Sequence, residues 1–358
     1  AGLNHKCGYR GAVNTLLNFG EGKFPVEGRA GARGYLIGGV GNGLRCMFTL
    51  MNEARIAVGL GATMLGYAGY EASLDYAKQR PQGRHAGAGG KDHNSPQVPI
   101  IEHTDVKRML MMQKAIAEGG LALGLFCARL VDEESTGTPE QAKAAGLLLE
   151  LLVPIAKSWP SEWAQEANSQ AIQILGGYGY TRDFPVEQYW RDNRLNMIHE
   201  GTHGIQALDL LGRKAVMQQG AAIALFGRTL QATVEQARAR PALAPHAEAL
   251  QAAWGEVLAT LAVLTPLLRV EGDRALANAS VFLEAFGHTV LAWTWLRQAV
   301  VADGALAQAA TPQDADFYRG KLQACRWFFH WELPRTAPQH ALLRSLDDST
   351  LAMQDAWF

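Results

Sequence analysis

From Leu44 onward, apolar and small residues fall at helical spacing. Met47, Leu50, Met51, Ala54, Val58, Ala62, Leu65 and Ala72 predict one long helix running to about Arg80. The stretch Pro81 to Pro99, rich in Gly, His and Asn, predicts a loop without regular structure. A second long helix is expected from Thr104 to about Glu134, with Thr104 or Asp105 as its cap. Thr138-Pro139-Glu140-Gln141 carries the start signal of a third: a hydroxyl before a proline whose fixed φ suits the first helical position. That helix is expected to continue, across Pro154, to about Leu175. Ile205 to Val216 reads as an amphipathic helix beginning near Gly201 or Thr202. Long helices joined by short loops pack most naturally as an antiparallel bundle.

Both ends of the chain differ from this middle. Residues 1 to about 45 are Gly-rich, and short alternating pieces such as Val13 to Phe19 and Tyr35 to Val40 predict one or two strands and loops, too few to close a sheet. Beyond Met217 the chain turns Ala-rich. Helices are expected over Ala221 to Ala239, Ala247 to Leu268, Arg274 to Val301 and Pro312 to Trp331, with Pro241, Pro245 and Pro266 as turns or interruptions. This tail reads as a separate helical module, with Trp293, Trp295, Trp327, Phe328, Phe329 and Trp331 as core and interface packing.

Composition narrows the function classes. With 33 basic and 34 acidic side chains among 358 residues, no bulk field recruits nucleic acid or an anionic membrane. Cys7, Cys46, Cys127 and Cys325 form no CxxC pair, which fits buried thiols in a reducing compartment better than a disulfide frame or a zinc cluster. No apolar run reaches the roughly 20 residues a bilayer span needs, and no leader opens the chain. The expected location is cytoplasmic, or the mitochondrial matrix if a targeting segment is missing. Ala1 is not Met and the sequence enters as though already inside a domain, so an N-terminal portion is expected to be absent.

The candidate chemistry lies between residues 173 and 206. Asn196-Met-Ile-His-Glu-Gly-Thr-His-Gly-Ile-Gln206 contains the letters H-E-x-x-H. A zinc hydrolase would need His199 and His203 one turn apart on a helix, with Glu200 aimed at a metal-bound water. Gly201, inside that turn, costs about 1 kcal/mol relative to Ala, and the extended form of the motif fails at Gln206. Upstream, Gly176-Gly177-Tyr178-Gly179 reads as a helix stop or as a side-chain-free approach for a flat ligand or phosphate. Arg191-Asp192 reads as a structural ion pair.

Taken in order, Ala54-Arg55, Tyr76-Ala-Lys-Gln-Arg80, Gln173 to Gly179 and Glu200-Gly-Thr202 resemble the C-terminal half of the acyl-CoA dehydrogenase family of flavoproteins. The module after residue 217 looks like the tail of the subgroup that includes 3-methylmercaptopropionyl-CoA dehydrogenase. The resemblance implies a mainly α fold: the C-terminal end of the family's middle β-domain over 1–45, an antiparallel helical bundle over 46–216 and an extra helical module over 217–358.

It also implies an activity. Glu200 would remove the α-proton of an acyl-CoA thioester while FAD takes the β-hydrogen as hydride, giving a trans-2-enoyl-CoA. So weak a carbon acid requires the base in contact and in a site dry enough to raise its pKa. The backbone N–H of Glu200 would help hold the enolate oxygen. Arg55 matches an arginine near the carboxylate and the CoA entry. Arg80 matches one that meets the FAD pyrophosphate across a subunit interface, where a guanidinium fork suits phosphate. Gln173, Gly176 and Gly177 match a segment on the adenosine half of FAD from the neighbouring subunit, and Thr202 matches a hydroxyl that reaches FAD. Some members carry the base just before the first arginine. That position is Ala54 here, and Glu53 should point off the site.

The family pattern is broken at Arg80-Pro-Gln-Gly-Arg84, where Gln82 is the residue that would replace a lost polar contact, and at Gly204, where a Gln is common. The implied partners are an acyl-CoA substrate, electron-transfer flavoprotein or a similar acceptor, and a homodimeric or homotetrameric assembly. The rival readings are a non-catalytic partner subunit of a heteromeric flavoprotein and the zinc hydrolase.

Overall fold

The computed structural model describes residues 2–48, 50–87, 90–91 and 94–358, and its regular structure is almost wholly helical. Helix α1 spans Gly43–Phe48 and α2 spans Met51–Gln79, where the sequence predicts a single helix; residue 49 lies outside the described residues. Then come α3, Thr104–Thr136, and α4, Pro139–Leu175. The start of α4 follows its sequence signal: Gln141 N–H donates to Thr138 Oγ1 at 3.3 Å, and Thr138 N–H donates to Gln141 Oε1 at 2.9 Å. The helix continues through both Pro154 and Pro160, held by packing on nearly every side.

The three long helices form the bundle, and small residues set how closely they approach. A Cβ added at Gly59 would lie 1.8 Å from the carbonyl oxygen of Ala156, and one at Gly66 would lie 2.9 Å from Cβ of Ala164. The α2–α4 seam is therefore nearly backbone to backbone, which fixes Arg55 of α2 beside Lys157 of α4.

Past α4 the chain runs through α5, Val186–Asn193, and α6, His203–Asp209, which continues as a π turn over Leu210–Lys214. The C-terminal helices are α7, Ala221–Arg238; α8, Ala244–Leu267; α9, Gly272–Leu276; α10, Ala279–Leu306; α11, Pro312–Trp331; and α12, Thr336–Ser345. They share one continuous apolar core with the bundle. Trp295 of α10 donates to the carbonyl of Ala115 at 3.0 Å, and the Phe126 and Trp293 rings meet edge to face at 5.1 Å. Of the aromatic residues expected in the core, Trp293, Trp295 and Phe328 are fully buried, while Trp331 is 55% exposed and stacks on Trp327.

Several local expectations change. Over residues 2–42 the described pairing consists of isolated bridges, Leu3 with Thr15 and Val26 with Arg29, and Val13, Tyr35, Ile37 and Val40 are exposed. Among the described residues of this segment no strand forms, and these apolar side chains lie in solvent. The loop after α2 holds a two-residue ladder, Ala86 with Lys91 and Gly87 with Gly90, closed by a Pro81–Pro99 bridge. Arg191 and Asp192 do not pair with each other. Arg191 binds Glu187 and the Cys7 carbonyl, and Asp192 accepts from the Tyr9 N–H, so both tie α5 to residues 7–9. Cys127 and Cys325 are buried, and burial pushes the Cys127 thiol up to about 12, but Cys7 and Cys46 are exposed. By length and composition α8 would suffice to cross a membrane; here Leu250, Val257 and Leu264 along it are buried in the module's core.

Candidate functional site

Glu200 sits on an irregular turn between α5 and α6. Its own φ is +56° and that of Gly201 is +93°, two successive left-handed residues, of which the first carries a side chain and is strained. The surroundings hold this backbone from both sides. Lys157 of α4, fully buried, donates from Nζ to the carbonyls of Asn196 at 2.9 Å and Gly201 at 2.7 Å. Gln206 of α6, also buried, donates to the Glu200 carbonyl at 3.0 Å, and a Cβ at Gly201 would collide with that amide. Thr202 then caps α6, accepting from the Ile205 N–H at 3.4 Å. The Glu200 side chain projects from this clamp, exposed. Among the described residues it has no ion-pair partner, and its N–H finds no protein acceptor.

A chain of amides braces the turn from below. Asn193 donates to the Ala62 carbonyl and to Asn168, Asn196 donates to Asn193 at 2.9 Å, and His199 Nε2 meets Asn196 Oδ1 at 3.0 Å. Because Asn193 and Asn196 are buried and both bonded, this network specifies one loop conformation.

Burial shapes the charges packed behind the turn. Burial, reinforced by the nearby Arg55 charge and opposed by Glu200, pushes Lys157 down to about 8. Burial and then the Lys157 charge also lower His199. Arg55 is itself buried and donates to Asp209 at 3.1 Å, and Asp209 also accepts from Arg213 at 2.7 Å. The expected substrate-binding arginine is thus held in a carboxylate bridge behind the turn. Ala54, half-buried, offers no carboxylate, and Glu53 beside it is exposed.

The stretch does not have the geometry of a zinc motif. Helix begins only at His203, so His199 and His203 are not one turn apart on a common face. His203 Nε2 is 3.0 Å from Glu162, whereas His199 is committed to Asn196. Glu162 illustrates the strength of its contact: burial alone would raise it, and the His203 bond holds it below its ordinary value instead.

Five of the remaining expected residues, Arg80, Gln82, Gln173, Gly176 and Gly177, line one open groove of about 850 Å³ at the far end of the bundle. Arg80 lies over the Tyr178 ring at 5.5 Å, and His103 Nε2 meets the Gln82 carbonyl at 2.7 Å. Gly176 ends α4 with a φ of +60°, which explains its glycine locally. Gly177 has no such need: its φ is not left-handed and an added Cβ would meet nothing within 4 Å. A glycine that neither turns nor packs suits a surface that a flat group approaches, and the arginine beside it suits an anion. Thr202 and Glu200 do not line this groove, so the residues fall into two clusters. Lys157, Gln206 and the Asn168–Asn193–Asn196 relay belong to no motif in the sequence. The sequence signal for Lys157 is a lone charge in the run Leu151 to Trp159.

Known proteins align with both parts of the chain. The family model described as "Acyl-CoA dehydrogenase, C-terminal domain" matches residues 41–215, and that described as "Acetyl-CoA dehydrogenase C-terminal like" matches residues 226–354. The broad-specificity linear acyl-CoA dehydrogenase FadE5 of Mycobacterium tuberculosis is 33% identical over 364 residues, covering 99% of this chain and 58% of that protein. The 3-methylmercaptopropionyl-CoA dehydrogenase of Ruegeria pomeroyi is 33% identical over 351 residues, covering 98% of this chain and 57% of that protein. The chain thus spans a little over half the length of these relatives. An acyl-CoA dehydrogenase of Bacillus anthracis, solved in complex with FAD, has the same fold, with a TM-score of 0.71 over 98% of this chain and 57% of that one, at 17% identity.

Proposed function

The chain belongs to the acyl-CoA dehydrogenase family, and from that premise we propose that it supplies the base, and part of the cofactor cradle, for FAD-dependent α,β-dehydrogenation of an acyl-CoA thioester. The observation that carries the reading is the Glu200 carboxylate, projected unpaired from a strained turn that Lys157 and Gln206 clamp on either side. Backbone strain held by buried partners is characteristic of sites where position matters more than stability.

In this mechanism Glu200 takes the α-proton as a general base, and its own free N–H is placed to donate to the enolate oxygen. FAD, when bound, supplies the acceptor for the β-hydride. Lys157 keeps positive charge behind the turn, and Arg55 through Asp209 fixes α6 below it. The exposure of Glu200 means that the drying of the site falls to the bound substrate and cofactor and to elements beyond these helices. Arg80, Gln82, Gln173, Gly176 and Gly177 fit the phosphate and adenosine side of the cofactor; Thr202 and Glu200 fit its reacting end. Their separation into two clusters supports the reading in which two copies of the chain complete each site, as a homodimer or homotetramer. The acceptor of the electrons would be electron-transfer flavoprotein or a similar carrier.

Glu200→Gln tests the assignment. Flavin-loaded variant protein mixed with an acyl-CoA should keep its visible spectrum and lose at least about a thousandfold in the rate of flavin bleaching. A variant that bleaches at close to the normal rate would end the assignment and place the base on another residue.

A further inference from the structure

A second groove, of about 1120 Å³, opens where α3 and α4 of the bundle meet α7, α10 and α11 of the C-terminal helices. It shares no residue with the Arg80 groove or the Glu200 turn. Its rim carries large apolar side chains left in solvent, Leu125 at 58%, Val301 at 69% and Phe317 at 58% exposure, with Phe126 and Leu130 deeper in the wall.

Three cations line it, and two are balanced. Arg129 pairs with Glu133 at 3.5 Å, and Lys321 pairs with Glu118 at 2.8 Å. Arg297 is different. Among the described residues its half-buried guanidinium has neither a carboxylate nor a hydrogen-bond acceptor, and lies instead 4.9 Å from the ring centres of both Phe126 and Trp293. Burial and the neighbouring Arg129 charge depress its pKa, the mark of a cation short of counter-charge. Beside it, Gln298 accepts from Lys321 through Oε1 while its buried Nε2 has no acceptor. A buried donor without a partner carries a desolvation cost that a ligand's oxygen would remove.

From this we infer that the groove is a binding site for the carboxylate of a single-chain amphiphile, its head on Arg297 and Gln298 and its chain along Leu125, Val301 and Phe317. One uncompensated charge suits a monoanion, since the other two cations of the groove already have carboxylate partners. The exposed apolar rim, which a purely polar ligand would leave in water, suits a hydrocarbon chain.

Isothermal titration of the purified chain with decanoate tests the site, with 1-decanol and decyltrimethylammonium as probes of the same length. Decanoate should bind at least about tenfold more tightly than either, the scale of a charge-assisted contact. Arg297→Gln should remove that preference. Leu125→Glu, a change at an exposed position that leaves the core intact, should weaken decanoate at least about tenfold, through the lost apolar contact and like charge together, and weaken decanol less, through the lost contact alone. Both substitutions lie away from Glu200, so loss through them places the ligand here and not at the proposed acyl-CoA site. Equal binding of decanoate and decanol, or wild-type decanoate affinity in a folded Leu125→Glu variant, would overturn the inference. If Arg297→Gln does not fold, Leu125→Glu and the three-ligand comparison decide it.

Discussion

Replacing Lys157 by Met should separate stability from activity. Two charge-assisted hydrogen bonds, to the carbonyls of Asn196 and Gly201, are lost. At about 1.5–3 kcal/mol each they amount to about 3–6 kcal/mol. Against this, the wild-type chain holds a buried ammonium whose pKa has fallen from 10.5 to about 8. That shift represents about 3 kcal/mol of burial cost at pH 7, which Met relieves while filling similar volume. The net loss of stability should therefore be modest, about 0–3 kcal/mol, measured by urea unfolding followed through tryptophan fluorescence. The turn loses its clamp, however, and Glu200, strained at a φ of +56°, is free to relax. A carboxylate misplaced by about 1 Å costs about a hundredfold in rate, which rapid-mixing measurement of flavin reduction would detect. Lys157→Arg should not restore the rate, because no space exists for the larger fork. A folded Lys157→Met protein reducing flavin within about threefold of wild type would refute the clamp.

Other consequences follow from the same contacts. Because the folded chain binds fewer protons than the unfolded chain between the Lys157 pKa of about 8 and the free value of 10.5, this group's contribution to stability should rise with pH across that window, by up to about 1.4 kcal/mol per pH unit, and stay level at its lowest value below it; the difference between wild-type and Lys157→Met unfolding curves at pH 7.5 and 9.5 reads it directly. Gly177→Val should leave the melting temperature within about 2 °C of wild type, since its Cβ meets nothing within 4 Å, yet lower flavin retention on gel filtration. Gly59→Ala should destabilise by about 3 kcal/mol or more in the same urea assay, because its methyl group would be driven into the Ala156 carbonyl.

Much of this fold is legible along the chain, and the unreadable parts have definite causes. Thr138 and Gln141 announce the start of α4 because capping is local chemistry, complete within four residues. The helical spacing from Met51 onward is legible for the same reason. The passage of α4 through Pro154 and Pro160 is a tertiary effect, in which burial outweighs two missing N–H groups. The apolar period of the C-terminal helices is plain, but their single core with the bundle rests on contacts such as Trp295 to Ala115, 180 residues apart. Within the site, the letters around Glu200 give a motif in spelling only; two left-handed residues make the turn, and a backbone angle has no periodic signature. The role of Lys157 is not legible in the sequence because its partners are main-chain carbonyls, which sequence does not distinguish from any others.

The central claim, that Glu200 moves a proton at the α-carbon, is tested most directly by following that proton alone. Flavin-loaded wild-type protein incubated with an acyl-CoA in deuterated buffer, without an external electron acceptor, should wash deuterium into the α-position, read by mass spectrometry of the recovered thioester. Glu200→Gln protein, still yellow, should show no exchange above the uncatalysed background. Exchange at the wild-type rate in that variant would contradict the account and move the base to another residue.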